Sequence, residues 1–247
     1  MTDYITGYNK ESFYKKLKTA AREKRLINSA RWYLEDRTPY FSIKSSIAKW
    51  HHSKNNIFSL NGREYQYYIK NNSFLSERAV ELPMALWFYK QNKHDTVLEI
   101  GNVMHQLLVI PKGYDVLDKY EIGKKIINED AVSFKSNKRY DMILSVSTIE
   151  HIGFDEEDKD PNKPVATIRN IKKLLKPTGR IFITVPLRYN PAIDKMIREQ
   201  SFKFMRSYFL KRVSYWGYWK QTTMEDALRM KYRSRYQNAN AIAILIK

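Results

Sequence analysis

The 247-residue sequence contains no cysteine, which excludes disulfide bonds, thiolate nucleophiles and zinc-thiolate sites together. Glycine is scarce, at 8 residues, so few positions in any ligand-wrapping loop are free of a side chain. No apolar run approaches the ~20 residues needed to span a bilayer, and the opening stretch Met1-Thr-Asp-Tyr-Ile-Thr-Gly-Tyr8 lacks the apolar centre of a secretion signal. A soluble, cytoplasmic protein is the expectation. His51, His52 and His105 have no acidic partners at ligand spacing, so no metal site is expected.

Acid is also in deficit. Lys and Arg number 44 against 26 Asp and Glu, a formal charge of +18. Such an excess points to an anionic partner: nucleic acid on the basic surface, a phosphate-bearing or uronic-acid substrate, or a membrane face. The basic residues are scattered rather than gathered, and no zinc finger, RRM signature or other nucleic-acid module is present. A dispersed excess is equally what the composition of an AT-rich genome produces. Hydrophobic residues make up 43% and aromatic residues 14%, enough for a full core. Nothing in the sequence bears on oligomeric state.

Short apolar runs alternate with helical patterns, as a parallel sheet with crossover helices requires. The spacing predicts strands at Thr96–Ile100, Tyr114–Asp118, Lys125–Asp130, Asp141–Ser147, Arg180–Pro186 and Ala239–Ile246. Ser76 is placed to cap a helix running to about Lys90. A second helix opens at Pro164, keeps Val165, Ile168, Ile171, Leu174 and Leu175 on one face, and stops at Lys176-Pro-Thr-Gly179.

Four pieces of this pattern resemble a class I S-adenosylmethionine-dependent methyltransferase, over roughly Ser76 to the C-terminus. Val97-Leu-Glu-Ile-Gly101 resembles the family's first motif, Val116-Leu-Asp118 its second and Asn128-Glu-Asp130 its third. Asp141-Met-Ile-Leu-Ser145 with Leu174-Leu-Lys-Pro-Thr-Gly-Arg-Ile-Phe-Ile-Thr-Val-Pro186 resembles the fourth and fifth strands and their linking turn. Ser76-Glu-Arg-Ala-Val-Glu-Leu-Pro83, Ser147-Thr-Ile-Glu-His-Ile-Gly153 and Val185-Pro-Leu-Arg-Tyr-Asn-Pro191 are similar to a prokaryotic subgroup associated with glycan and surface-polysaccharide genes. The resemblance implies an α/β fold: a Rossmann-like, mostly parallel seven-stranded sheet flanked by helices. It also implies S-adenosylmethionine as cofactor and a small-molecule or glycan-type acceptor, methylated on a hydroxyl or similar group.

Asp118, nineteen positions past Glu99, stands where a carboxylate grips the two hydroxyls of a ribose. Asp130 is placed to accept from the adenine amino group or to orient a water there. Gly101 leaves room for the methionine part, and Glu99 orients either the loop or the amino group. The family's first loop carries two or three glycines and this chain carries one, with Asn102 standing in for the left-handed geometry. Arg78 is a candidate for the cofactor's carboxylate, or a surface residue with an intrahelical glutamate partner. Ser147 and Thr148 complete the cofactor set. The competing reading, less favoured because both stand at the required strand ends, makes Asp118 and Asp130 ordinary turn acids.

His151 is the base candidate, because it follows the fourth strand and titrates near neutrality. Glu150 beside it orients the imidazole or binds the acceptor. Tyr189, Asn190, Tyr232 and Arg233 are candidate acceptor contacts, although Asn190-Pro191 also reads as a strand end. Residues 1–73 read as a separate basic cap, with 74–247 as the catalytic domain. Phe13, Leu17, Ala20 and Ala21, then Ile27, Ala30 and Leu34, recur at helical spacing, and Asn61-Gly62 between apolar-rich runs signals a β-hairpin. The competing reading is a catalytically silent relative that binds RNA or a protein through this cap.

Overall fold

The computed structural model describes residues 39–91, 94–105, 113–233 and 238–247. The helices expected over residues 13–34 lie outside them, as does the remainder of the first loop after His105. Helix α1 (Pro39–Lys54) crosses the division of the chain into a unit ending at Trp50 and a unit running from His51 to Lys247.

The second unit begins with the hairpin β1 (Ile57–Leu60) and β2 (Arg63–Gln66), paired antiparallel. Asn61 and Gly62 turn it with φ of 52° and 74°, the left-handed pair that matches strand twist. Helix α2 (Arg78–Gln91) follows, with the Ser76 hydroxyl accepting from the Arg78 amide at 3.2 Å. Pro83 inside it has no N–H for the Ala79 carbonyl, which accepts instead from the Tyr68 amide at 2.9 Å. The missing helical bond thereby ties α2 to the chain leaving the hairpin.

Eight strands form the main sheet: β3 (Val97–Ile100), β4 (Tyr114–Leu117), β5 (Ile126–Ile127), β6 (Tyr140–Val146), β7 (Leu175–Pro186), β8 (Arg206–Arg212), β9 (Trp219–Thr222) and β10 (Ala241–Ile246). Their order is β5-β4-β3-β6-β7-β10-β8-β9. Pairing is parallel from β5 to β7 and antiparallel from β7 through β10 and β8 to β9. The sheet therefore exceeds the expected seven strands by one, β9, which pairs with β8 at the edge. Between β6 and β7 runs α3 (Lys163–Leu174), between β7 and β8 runs α4 (Pro191–Arg198), and α5 (Met224–Arg229) precedes β10.

Alternation along the strands sorts the core into two layers. Leu98, Ile143, Ile181 and Ile183 face Ile168, Ile171 and Leu174 of α3 and Ile193 of α4. Val97, Met142, Leu144 and Phe182 face Val80, Met84 and Phe88 of α2, with Phe58 and Leu60 of the hairpin. The side-chain period of two makes this division obligatory.

Two expected boundaries moved. β5 holds two residues where six were expected, because Lys125 has a φ of 104° and Asn128 turns its side chain to neighbouring carbonyls. α3 ends at Leu174 and the strand begins at Leu175, so Pro177 and Gly179 lie within β7. Gly179 serves close packing: a Cβ there would meet the Tyr140 carbonyl at 2.9 Å.

From β3 the chain winds outward through β4 to β5, then crosses back to β6 on the other flank. At that reversal the connections leave β3 and β6 in opposite directions, which opens a crevice at their carboxyl ends.

Candidate active site

Glu99, fully buried in β3, organises the first loop. Its Oε1 accepts the amides of Val103 and Met104, both at 2.6 Å, and its Oε2 accepts the His105 amide at 2.9 Å and the Tyr114 hydroxyl at 2.7 Å. Burial raises the carboxyl above its ordinary range while these donors pull it back down. The three backbone amides can only donate, so they favour the carboxylate anion against that burial. Of its two proposed tasks, Glu99 therefore occupies the loop-orienting one.

Gly101 follows with a φ of 84°, and a Cβ there would lie 2.3 Å from Thr148 Oγ1. The backbone of the first loop thus passes directly against the tip of β6, where no side chain would fit. Asn102 donates its amide to the carboxylate of Glu121, linking this loop to the one after β4.

At the tip of β4, Asp118 Oδ1 accepts the amides of Tyr120 and Glu121, both at 2.8 Å, which fixes the carboxylate in a turn. Its Oδ2 has no hydrogen-bond partner among the described residues. Asn128 Nδ2 holds the same loop through the carbonyls of Asp118, Lys119 and Glu121 at 2.8–3.1 Å. Asp130, past β5, accepts the Val132 amide at 3.0 Å and pairs with Lys119 at 2.9 Å. Burial acts to raise Asp130, but Lys119 and the amide bring it below its usual value. Lys119 also lies 3.3 Å from Glu156, whose other oxygen takes Lys163. Three loops are thereby joined by charge.

Arg78, at the start of α2, reaches the tip of β6. Its Nη1 donates to the Val146 carbonyl at 3.0 Å and pairs with Glu81 at 3.3 Å, with 29% of the side chain exposed. The intrahelical glutamate partner of the second reading of Arg78 is thus present, at the tip of β6. Glu81 is fully buried and also accepts the Ser147 hydroxyl at 2.6 Å. Its carboxyl is raised, chiefly by burial, against the pull of Arg78. Ser147 takes a left-handed φ of 43°, unusual for a residue with a Cβ, and so turns the chain sharply off β6. Thr148 closes on Gly101 as described.

Beyond this turn stands the acid-base cluster. His151 Nδ1 lies 2.5 Å from Asp155 Oδ2, which fixes the proton on Nδ1, and its Nε2 lies 3.6 Å from Glu150 Oε1. Desolvation works to lower the imidazole, but the bond to Asp155 and the charges of Glu150 and Asp155 raise it overall. Glu150 is 1% exposed, its Oε2 has no hydrogen-bond partner among the described residues, and burial pushes it up to about 8. Tyr189 donates to the same Asp155 oxygen at 2.5 Å, and its ring lies 5.1 Å from His151 and 5.1 Å from Tyr232.

The structure thus brings His151, Glu150, Tyr189 and Tyr232 into one cluster, with Arg78 and Ser147 beside it. Asn190 takes a different place from the expected acceptor contact. It is 2% exposed, its Oδ1 caps α4 through the Ala192 amide at 2.9 Å, and its Nδ2 holds the Glu150 carbonyl at 2.8 Å. Arg233 stands outside, 5.5 Å from the Tyr232 ring. Sequence reasoning missed Asp155, four positions after His151 in a turn, because nothing local marks an acid that folds back. It also missed Lys119 and Glu156, whose partners lie on other loops and at the start of α3. A separate cleft of about 690 Å³, lined by Arg63, Tyr65, Trp87 and Tyr208 among others, carries no acid-base pair of this kind. Among the described residues no group of three could hold a metal ion, and no helix is long and apolar enough to cross a membrane.

Residues 72–231 match the family described as Methyltransferase domain. No curated protein matches the chain. Solved structures similar to it include the N-methyltransferase NodS from Bradyrhizobium japonicum, 12% identical over 72% of this chain and 97% of its own, with a TM-score of 0.42. A possible histamine N-methyltransferase from Thermotoga maritima is 14% identical over 71% and 88%, with a TM-score of 0.43. An S-adenosylmethionine-dependent methyltransferase from Clostridium acetobutylicum is 11% identical over 66% and 88%, with a TM-score of 0.37.

Proposed function

The chain belongs to the methyltransferase-domain family, and on that premise we propose that it methylates a hydroxyl or similar protic group of a small-molecule or glycan-type acceptor. Its cofactor is S-adenosylmethionine. The residues fit that group: Gly101 keeps the crevice floor free of a side chain, and Asp118 presents an oxygen with no hydrogen-bond partner among the described residues. When bound, S-adenosylmethionine supplies a methyl group already activated by a positively charged sulfur.

In this reading Asp118 holds the ribose hydroxyls and Asp130, steadied by Lys119, faces the adenine end. Arg78 offers a partly exposed guanidinium to a carboxylate, and Glu99 keeps the loop amides in place. Asn102, Ser147 and Thr148 shape the walls around Gly101. His151 takes the acceptor's proton on Nε2 while Asp155 holds Nδ1–H, and Tyr189 and Tyr232 bound the space where the acceptor sits. The observation that carries the reading is the placement of a glycine turn, two loop acids and a carboxylate-held imidazole at one carboxyl edge of the parallel strands.

The test is formation of S-adenosylhomocysteine from S-adenosylmethionine in the presence of a set of sugars, amino sugars, alcohols and amines. The wild type should turn over at least one of them, and His151→Ala should lose on the order of 10²–10⁴-fold in rate while still binding cofactor. Product no higher than without enzyme across the set, with RNA affinity retained, would replace this reading with that of a silent binding protein.

A further inference from the structure

We infer that the acceptor is an amine, received as its ammonium between Glu150, Asp155 and the rings of Tyr189 and Tyr232; the inference rests on the methyl-transfer reading of this site. Although the chain carries a formal charge of +18, acidic side chains gather in the cluster beyond β6. Glu77, Glu81, Glu150 and Asp155 surround it, against the guanidiniums of Arg78 and Arg233 and the His151 ring. Arg78 pairs with Glu81 and the Val146 carbonyl and, in the proposed reading, faces the cofactor's carboxylate rather than the acceptor. An anionic acceptor, which the net charge alone suggested, would bring no donor to these carboxyls.

Glu150 gives the second, independent indication. A carboxyl with 1% exposure normally has partners for both oxygens, and here Oε2 has none among the described residues while Oε1 is 3.6 Å from the imidazole. A neutral alcohol would leave Glu150 without a counter-charge, whereas an ammonium supplies both the charge and the missing donors. Burial pushes this carboxyl up to about 8, and an ammonium beside it would favour the anion. The third indication is aromatic. Tyr189 stands edge-on to His151, Phe154 and Tyr232, with ring centroids 5.1, 5.4 and 5.1 Å apart, so aromatic rings pack beside the acids. Aromatic faces beside carboxylates suit cations and gain little from a neutral hydroxyl.

The proton balance follows. The ammonium gives one proton to His151 Nε2 and becomes the free amine. Its lone pair forms the new N–C bond as the C–S bond breaks, the electron pair staying on sulfur, and the product leaves as a substituted ammonium. The two carboxylates flanking His151 favour this direction of transfer, because each stabilises the protonated ring.

The test uses matched pairs that differ in one group: 2-phenylethylamine against 2-phenylethanol, and glucosamine against glucose. Each is titrated by calorimetry into wild-type protein saturated with S-adenosylhomocysteine at pH 8. At least one amine should bind ten-fold or more tightly than its alcohol, and Glu150→Gln should remove most of that preference with the cofactor product still bound. Equal or tighter binding of both alcohols, or no binding of either amine, would overturn the inference and leave the methyl-transfer reading standing. Failure to bind S-adenosylhomocysteine in the first titration would instead strike the underlying reading.

Discussion

Replacing Glu99 by glutamine changes one atom and should undo the first loop. In the glutamine side chain an amide NH₂ takes the place of one carboxylate oxygen. The natural orientation keeps Oε1 for Val103 and Met104 and turns the NH₂ toward His105 N–H and the Tyr114 hydroxyl. The hydroxyl can rotate and accept; the backbone amide cannot. A hydrogen bond to a charged group contributes about 1.5–3 kcal/mol; the one to the partly buried His105 amide is lost and the one to Tyr114 weakens, so a total of about 3–5 kcal/mol is expected. The cost divides between opening the loop locally, which lowers cofactor affinity, and lowering global stability. If all of it falls on the loop, affinity drops roughly a hundred-fold to a few thousand-fold, and if all of it is global, Tm falls by roughly 6–20 °C. Calorimetry with S-adenosylhomocysteine and thermal unfolding of Glu99→Gln measure the two shares. Affinity within three-fold of wild type together with an unchanged Tm would show that the loop does not depend on this carboxylate.

Three further outcomes follow from the same structure. Gly101→Ala must hold a φ of 84° with a Cβ 2.3 Å from Thr148 Oγ1, a backbone cost of about 1–2 kcal/mol before the clash, so cofactor binding should be lost; normal binding would show that the turn has another geometry. His52 is fully buried, donates Nε2–H to the Trp216 carbonyl at 2.8 Å and is lowered in pKa, chiefly by desolvation, so the folded state resists its protonation. Its contribution to stability is present above about pH 6.5 and fades as pH falls below it, with a limiting slope of about 1.4 kcal/mol per pH unit. Chemical denaturation of wild type and His52→Gln from pH 7.5 to 5 should therefore converge at low pH, and a constant difference would contradict the assignment. Asp155→Asn removes the partner that helps raise His151, so the imidazole should titrate at lower pH, as nitrogen-resolved NMR of the histidines can follow; an unmoved or higher value would separate Asp155 from the base.

The central strands were legible because buried parallel strands are written as continuous apolar runs, as in Val97-Leu-Glu-Ile100 and Met142-Ile-Leu144. Helices α2 and α3 were legible from Ser76 and Pro164 at their starts. β8 and β9 were not, since Arg-Ser-Tyr-Phe-Leu-Lys-Arg212 and Trp-Lys-Gln-Thr222 are short, near the sheet edge and largely polar, and take strand form through pairing with β10 and with each other. The same distinction holds at the site. Gly101, Asp118 and His151 follow strands and announce themselves by position, while the partners that set their chemistry come from elsewhere in the fold. Thr148 packs directly on Gly101 from beyond the tip of β6, Asp155 folds back onto His151, and Lys119 bridges to Asp130 and Glu156. Asn190 shows the converse: a polar residue after a strand drew a functional reading, and its fit to the cap position of α4 decides its role.

The central claim is that the carboxyl edge of the sheet binds S-adenosylmethionine through the acid at the tip of β4. Titration calorimetry of S-adenosylhomocysteine into wild-type protein and into Asp118→Ala tests it most directly. One saturable site in the wild type, abolished by the substitution without loss of folding, is the predicted result; no heat in the wild type, or equal binding by the two proteins, would contradict it.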